Sequence, residues 1–174
     1  MKRAFRATLG LAAGLLLTGT SFGTGISYDL VNLVGNRWEY TYTLMNDDLA
    51  PQVDEFTIFF PFGRFERLSV TTPEVGWDEL VIEPDGILGD GFYDALATGT
   101  GIGIGEARRG FSVSFDFLGA GLPGVQLFDI VDPATVAVRL SGTTVPTSAP
   151  IPEPASALLV AAGLLGLARA RRRR

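Results

Sequence analysis

The side chains that could do chemistry in this sequence are almost all carboxylates. They come in close groups: Asp47 with Asp48, Asp54 with Glu55, Asp78 with Glu79, Glu83 with Asp85, Asp90 with Asp94, and Asp129 with Asp132. Two carboxylates facing each other across a cleft can hydrolyse a glycosidic bond, one as acid and one as base or nucleophile. Each group here lies at or near a turn signal, where Asp turns and caps the chain without any catalysis. The same oxygen donors suit calcium, and Glu83, Asp85, Asp90 and Asp94 are the best placed for it. No EF-hand loop or nonapeptide repeat accompanies them, so no metal ligands are assigned and no cofactor is expected. A flat ring can stack on a pyranose face. Trp77, in "VGWDEL" between Gly76 and Asp78, is the ligand-stacking candidate, whereas Trp38 falls in a strand alternation and reads as core.

What is missing narrows the choices further. The 174 residues contain no Cys and no His, and the only Lys is Lys2. Thiol chemistry, imidazole general-base catalysis and a Schiff-base or Walker lysine are therefore closed to the mature chain. "GTGIGIG", Gly99 to Gly105, is not a phosphate loop, because no Lys-Ser/Thr follows and no helix opens after it. Alternating Gly and Ile suits a close-packed or flexible passage from loop to strand. Residues 24–150 hold six Arg against eighteen Asp and Glu, so a nucleic-acid partner for this stretch is not expected. With these absences the leading expectation is a non-enzymatic protein, and a carboxylate hydrolase is a remote alternative.

The elements that position these residues read as strands. Trp38-Glu39-Tyr40-Thr41-Tyr42-Thr43-Leu44 and Phe111-Ser112-Val113-Ser114-Phe115-Asp116-Phe117 alternate without a break, the mark of strands with one buried and one wet face. Further strands are expected over 26–34, 56–60, 67–71, 80–82, 125–131 and 136–140. Turn signals separate them at Gly35-Asn36, Pro61-Phe62-Gly63, Pro84-Asp85-Gly86 and Asp132-Pro133. One short helix is expected at "GFYDALAT", 91–98. About eight strands without crossover helices predict an all-β, antiparallel β-sandwich, immunoglobulin-like or cohesin-like, over residues 24–141.

The two ends differ from the middle. Residues 1–23 open with Lys2, Arg3 and Arg6, run apolar from Ala7 to Leu17, and finish in small and polar residues. This is the layout of a signal peptide for general secretion, cleaved after Gly23 or Thr20, so the secretion machinery and signal peptidase are expected partners. Residues 142–151 read as a Pro/Ser/Thr-rich linker. From Ala155 to Ala168 the chain is uncharged and nearly all apolar, followed by Arg169 and Arg171, Arg172, Arg173 and Arg174. As a helix those 14 residues reach about 21 Å, short of the ~30 Å hydrocarbon core. Snorkelling arginines lengthen the reach, and the basic cluster orients the chain with its domain on the exported side. A single transient pass through the inner membrane over about 154–170 is expected.

Pro152-Glu153-Pro154, a short Ala/Leu/Gly segment and a terminal Arg cluster, in that order at the chain's end, resemble the C-terminal sorting signal of PEP-CTERM proteins, here residues 152–174. The resemblance implies recognition of Pro152, Glu153 and Pro154 by a membrane peptidase of the exosortase type. It further implies a Gram-negative bacterium that makes exopolysaccharide and forms biofilm, and a final place in the cell envelope or extracellular matrix. For the sandwich it implies no ligand. Polysaccharide is the partner it brings to mind, and a carbohydrate-binding or calcium-dependent adhesion module is the alternative to a plain surface or matrix protein.

Overall fold

The computed structural model describes residues 23–147, and these form an all-β sandwich of two five-stranded sheets. The signal peptide, residues 148–151 of the linker and the whole sorting signal lie outside the described residues. In chain order the strands are β1 (Gly25–Val34), β2 (Arg37–Asn46), β3 (Gln52–Val53), β4 (Glu55–Phe60), β5 (Phe65–Thr72) and β6 (Trp77–Ile82), then β7 (Gly91–Ala97), β8 (Ile102–Gly103), β9 (Glu106–Phe117), β10 (Leu127–Asp132), β11 (Ala137–Thr143) and β12 (Val145–Pro146). The first sheet has the order β12-β1-β2-β9-β5 and the second β11-β10-β4-β7-β6, while β3 and β8 make a separate two-stranded ribbon. All pairings are antiparallel except β1 with β12.

Period-two alternation builds the core. Tyr40, Tyr42 and Leu44 of β2 and Phe111, Val113 and Phe115 of β9 point inward from the first sheet. Phe56, Ile58 and Phe60 of β4 and Tyr93 of β7 meet them from the second. Rings interlock between the sheets: Phe56 lies edge-on to Phe111 at 4.9 Å and Tyr42 stacks on Tyr93 at 6.3 Å. Each such pair adds to plain area burial by about 0.5–1.5 kcal/mol. Truncating fully buried Phe56 to Ala would cost about 3–5 kcal/mol through the cavity it leaves.

The turn signals do two different jobs. Gly35-Asn36 closes the tight β1–β2 hairpin, with Gly35 at a φ of 58° that a side chain disfavours. Pro61-Phe62-Gly63 instead carries the chain from the second sheet to the first, as an arch between β4 and β5. In "GTGIGIG" a Cβ at Gly101 would collide with the Val53 carbonyl, so this passage is close-packed against β3.

Two segments differ from the sequence expectation. Residues 91–98 are not a helix: Gly91–Ala97 is strand β7, paired along its length with β4 on one side and β6 on the other. Tyr93 and Ala95 are buried while their neighbours are only half-buried, a period of two. Ladder bonds on both edges and burial of Tyr93 outweigh the helix propensity of Ala and Leu. The ordered sheet also runs on through residues 142–147, given to the linker on composition. Thr144 is fully buried, its N–H donates to the Gln126 carbonyl at 2.8 Å, and β12 lies along β1.

Candidate functional site

The most unusual surface is the outer face of the second sheet. Strand register sets side chains of one row side by side: Ser141, Asp129, Thr57, Asp94 and Leu80 cross the sheet from β11 to β6. The next row holds Val131, Glu55, Leu96 and Asp78. Two of the carboxylates are held by hydroxyls, Ser141 Oγ donating to Asp129 Oδ1 and Thr57 Oγ1 to Asp94 Oδ1, each at 2.6 Å. The five strands carry six carboxylates, Glu55, Asp78, Glu79, Asp94, Asp129 and Asp132, and one base, Arg139. That arginine is committed elsewhere, donating to the Ala50 and Gln52 carbonyls.

Burial, reinforced by neighbouring charge, raises two acid pKa values here, whereas the Ala134 and Thr135 amides and the Thr135 hydroxyl hold Asp132 below its ordinary value. Burial pushes Glu55 above its ordinary value, with the charges of Asp94 and Asp132 adding to it. Burial also raises Asp94, partly offset by the Thr57 hydrogen bond and reinforced by Asp78. Exposed Leu80, Ile82, Leu127 and Val138 flank these acids, so the face is both apolar and acidic. Chemically it can attract cations or a basic partner. A shallow depression of about 530 Å³ beside Phe59, Leu127, Asp129 and Thr143 has a single carboxylate in its lining. A larger groove of about 670 Å³, bordered by Ile26, Met45, Leu140 and Val145, has no charged residue in its lining. Neither brings two carboxylates together across a cleft.

The outer face of the first sheet is organised differently. Asp116, 3% exposed, receives Arg37 Nη1 at 3.2 Å and also pairs with Arg67. Arg37 Nη2 donates to Ser114 Oγ at 2.7 Å, tying the arginine along β9. Burial by itself would raise the Asp116 pKa, but the hydrogen bonds and charges of Arg67 and Arg37 outweigh it and lower it. Arg109 pairs with Asp29 at 2.8 Å across the same sheet.

The predicted site residues are placed as follows. Trp77 is not a ligand platform: it is 7% exposed, lies edge-on to Phe111 at 5.0 Å and tilts against Phe56. A ring packed on both partners offers no face to a sugar, which corrects the stacking assignment. The oxygen donors grouped for calcium are not gathered around one point. Asp85 Oδ1 accepts from the Ile87 and Leu88 amides, Asp90 Oδ1 from the Phe62 amide, and Asp94 Oδ1 from Thr57. Among the described residues no group of three His, Cys, Asp or Glu is arranged to hold a metal ion. Pro152, Glu153, Pro154 and the arginines from Arg169 on lie outside the described residues.

Two polar clusters were not anticipated. One is the Arg37–Asp116–Arg67 triad, whose members are up to 79 residues apart. Alternation puts Asp116 on the wet face of β9, yet nothing local announces its partners. The other sits in the core: the Tyr42 hydroxyl donates to Gln126 Oε1, and Gln126 and Thr144 bond reciprocally through backbone and side chain. Gln126 Nε2 has no partner among the described residues. The Gly/Pro-rich run 119–124 before it reads only as loop, so its burial had no sequence signal.

One comparison is decisive for the chain's address, and it concerns the other end. Residues 150–174 match the PEP-CTERM protein-sorting motif. The chain ends in a PEP-CTERM sorting motif. The matched span contains Pro152-Glu153-Pro154 and all five C-terminal arginines. The motif implies an exported, cell-surface protein processed by an exosortase. It covers 25 residues and says nothing of the sandwich. No curated protein matches the chain.

Proposed function

We propose that this protein is a non-enzymatic surface or extracellular-matrix protein, exported by its N-terminal signal and sorted through its PEP-CTERM tail. The observation that carries the reading is the motif at 150–174. In this reading the signal peptide is removed, the segment over about 154–170 crosses the inner membrane once, and Arg169 and Arg171–Arg174 stay on the cytoplasmic side. An exosortase-type peptidase then acts at Pro152-Glu153-Pro154 and releases the sandwich to the envelope or to an exopolysaccharide matrix. The sandwich, of immunoglobulin-like or cohesin-like kind, serves as a stable exported body and needs no cofactor. Two features of the described residues support a structural role over a catalytic one: the acids of the second sheet lie in rows across its strands, and neither depression described above brings a pair of acids together. Burial of Trp77 removes the feature that favoured sugar stacking as the alternative.

Intact mass of the mature protein from its native host, with and without the sorting peptidase, tests this. Loss of the segment from about Pro154 onward only when the peptidase is present is the expected result. A mature chain that keeps Arg174 in both strains would overturn sorting and leave a tail-anchored protein.

A further inference from the structure

The turns at one end of the sandwich carry apolar side chains that the core does not use. β1, β4, β6 and β9 end there, and β2, β5 and β7 begin there. These connections touch one another in series. The Phe117 N–H donates to the Asn36 carbonyl and the Leu118 N–H to the Arg64 carbonyl, each at 2.9 Å. The Phe62 N–H donates to Asp90 Oδ1, also at 2.9 Å. The β1–β2 turn, the end of β9, the β4–β5 arch and the β6–β7 turn therefore form one continuous rim. Along it Val34, Phe62, Ile87, Leu88 and Leu118 are exposed, Ile87 at 93%, Leu88 at 77% and Val34 at 74%. None of the five lines either depression described above, so they stand out from the end as a row of tips.

The tips are held in place by their own turns. Asp85 and Gly89 bond reciprocally through the backbone at 3.0 Å, and Asp85 Oδ1 accepts from the Ile87 and Leu88 amides. The charged groups beside them are drawn back toward the protein. Asp85 and Asp90 are engaged by turn amides, and the Arg64 guanidinium lies over the Phe117 ring, 5.6 Å from its centre. What projects furthest is therefore apolar. A contiguous exposed apolar patch on a well-packed domain marks a contact surface.

We propose that this rim is a membrane-contact surface, on which Val34, Phe62, Ile87, Leu88 and Leu118 dip into the headgroup region of a zwitterionic lipid bilayer. Three observations select this occupant. The first is direction: β12 runs parallel to β1, and β1 runs to Val34 at the rim, so the described chain leaves heading toward this end. The second is reach. Ala155, where the uncharged run begins, is eight residues past Thr147, at most about 28 Å of chain. The stretch of β1 from Tyr28 to Val34 already takes up about 20 Å of that length. Measured along β1, a bilayer entered by the run lies no more than about 10 Å beyond the rim. This step rests on the proposed membrane pass, whereas the rim itself does not. The third is charge. The turns of the rim hold Glu83, Asp85 and Asp90 against Arg64, so anionic headgroups offer no gain and apolar insertion carries the contact.

The absence of Cys allows single probes to be placed at will. In the full chain, reconstituted in phosphatidylcholine vesicles, an environment-sensitive fluorophore is attached at Ile87→Cys or Val34→Cys on the rim. Control probes sit at Val75→Cys, exposed in the β5–β6 turn at the opposite end, and at Ala161→Cys in the apolar run. The rim probes are expected to shift to the blue and to lose emission to nitroxide-bearing lipid, while the Val75 probe does neither. Ile87→Ser with Leu88→Ser, both outside the core, should abolish the Val34 shift and leave the melting temperature unchanged. Rim and Val75 probes that respond alike, or rim probes that stay silent while Ala161 is quenched, would overturn rim insertion and leave the membrane pass standing. Quenching at the rim without quenching at Ala161 would uphold the rim and overturn the pass. A rim shift that appears only when phosphatidylglycerol is added would overturn the zwitterionic surface. Disulfide-linked dimers of unlabelled Ile87→Cys, where Val75→Cys gives none, would assign the rim to a second copy and overturn lipid contact.

Discussion

The outer face of the first sheet sets Asp116 and Asp29 against arginines, whereas the outer face of the second leaves its acids with hydroxyls and with one another. Asp116 lies between Arg37 and Arg67, and Asp29 faces Arg109. Across the sandwich, Asp94 and Asp129 are satisfied by Thr57 and Ser141, and no ion pair joins the second sheet's acids among the described residues. The backbone scaffold is nearly the same in both sheets, five strands with inward aromatic or aliphatic residues. The difference therefore lies entirely in the outward half of each alternation. Those positions are free of core packing, so they carry whatever the surface does. The first face locks Asp116 and Asp29 in ion pairs, while the second stores repulsion that a cationic or basic partner would relieve.

The largest expected effect tests the locked face. Asp116→Ala removes a buried acceptor shared by two guanidinium groups and leaves Arg37, only 24% exposed along its side chain, unpaired. It should lower unfolding free energy by about 2 kcal/mol in a denaturant titration. A loss below about 0.5 kcal/mol would show that the pairing is decoration and would dissolve the contrast between the faces.

The second face should respond with the opposite sign. Asp94→Asn keeps an acceptor for the Thr57 hydroxyl and removes a charge that burial and Asp78 disfavour. At pH 7 it should raise the melting temperature by about 2 °C, as expected for roughly half a kcal/mol in a domain of this size. A lower melting temperature would mean that the Asp94 charge has an unseen partner.

The pH profile compares the two faces in one experiment. Glu55 and Asp94 have folded-state pKa values above their unfolded ones, so the folded protein binds their protons more tightly. Their stabilising effect is complete below the unfolded pKa and fades as pH rises through the folded one. Asp116 is lowered, so its contribution is present above its unfolded value of about 4 and is lost as pH falls below that. Stability should therefore rise from pH 7 into the mildly acidic range and collapse at lower pH. Asp94→Asn should flatten the rise, and Asp116→Asn should flatten the fall. A profile that only declines from pH 7 downward would remove the second face's stored repulsion.

This contrast also separates what the sequence makes legible from what it hides. β2 is readable over Trp38–Leu44 and β9 over Phe111–Phe117 because both alternate without interruption over seven residues, whereas Glu106–Gly110, the first part of β9, carries no such signal. β7 is misread because a seven-residue run with Ala, Leu and Asp carries helix propensity, and only the two neighbouring strands decide it. The two-residue strands β3, β8 and β12 are too short for any period to register. Trp77 shows the same limit in an edge strand: β6 has apolar residues on both faces, so its period does not say which side is the core. The sorting motif, by contrast, is fully legible, because it is a contiguous string meant to be read by another protein. Asp116 with Arg37, or Asp94 with Asp129, depends on register between distant strands, and register is a property of the fold.

The smallest expected effect bounds the comparison from below. The Arg109–Asp29 pair lies on the locked face, yet the arginine side chain is 65% exposed and that of the aspartate 33%. Water and mobile ions screen such a pair, so Arg109→Ala should cost about 0.5 kcal/mol at low salt and nothing measurable in 1 M salt, where the Debye length is about 3 Å. Salt acts on the second face in the reverse direction, by screening Glu55, Asp94 and Asp132 from one another. Wild-type protein and Arg109→Ala, melted across a salt series, thus separate two mechanisms with opposite slopes. If the wild type gains stability with salt while the cost of Arg109→Ala vanishes, repulsion on the second face outweighs exposed pairing on the first. If the wild type instead loses stability in step with that vanishing cost, the paired face dominates, and the acids of the second sheet are already accommodated by their hydroxyl donors.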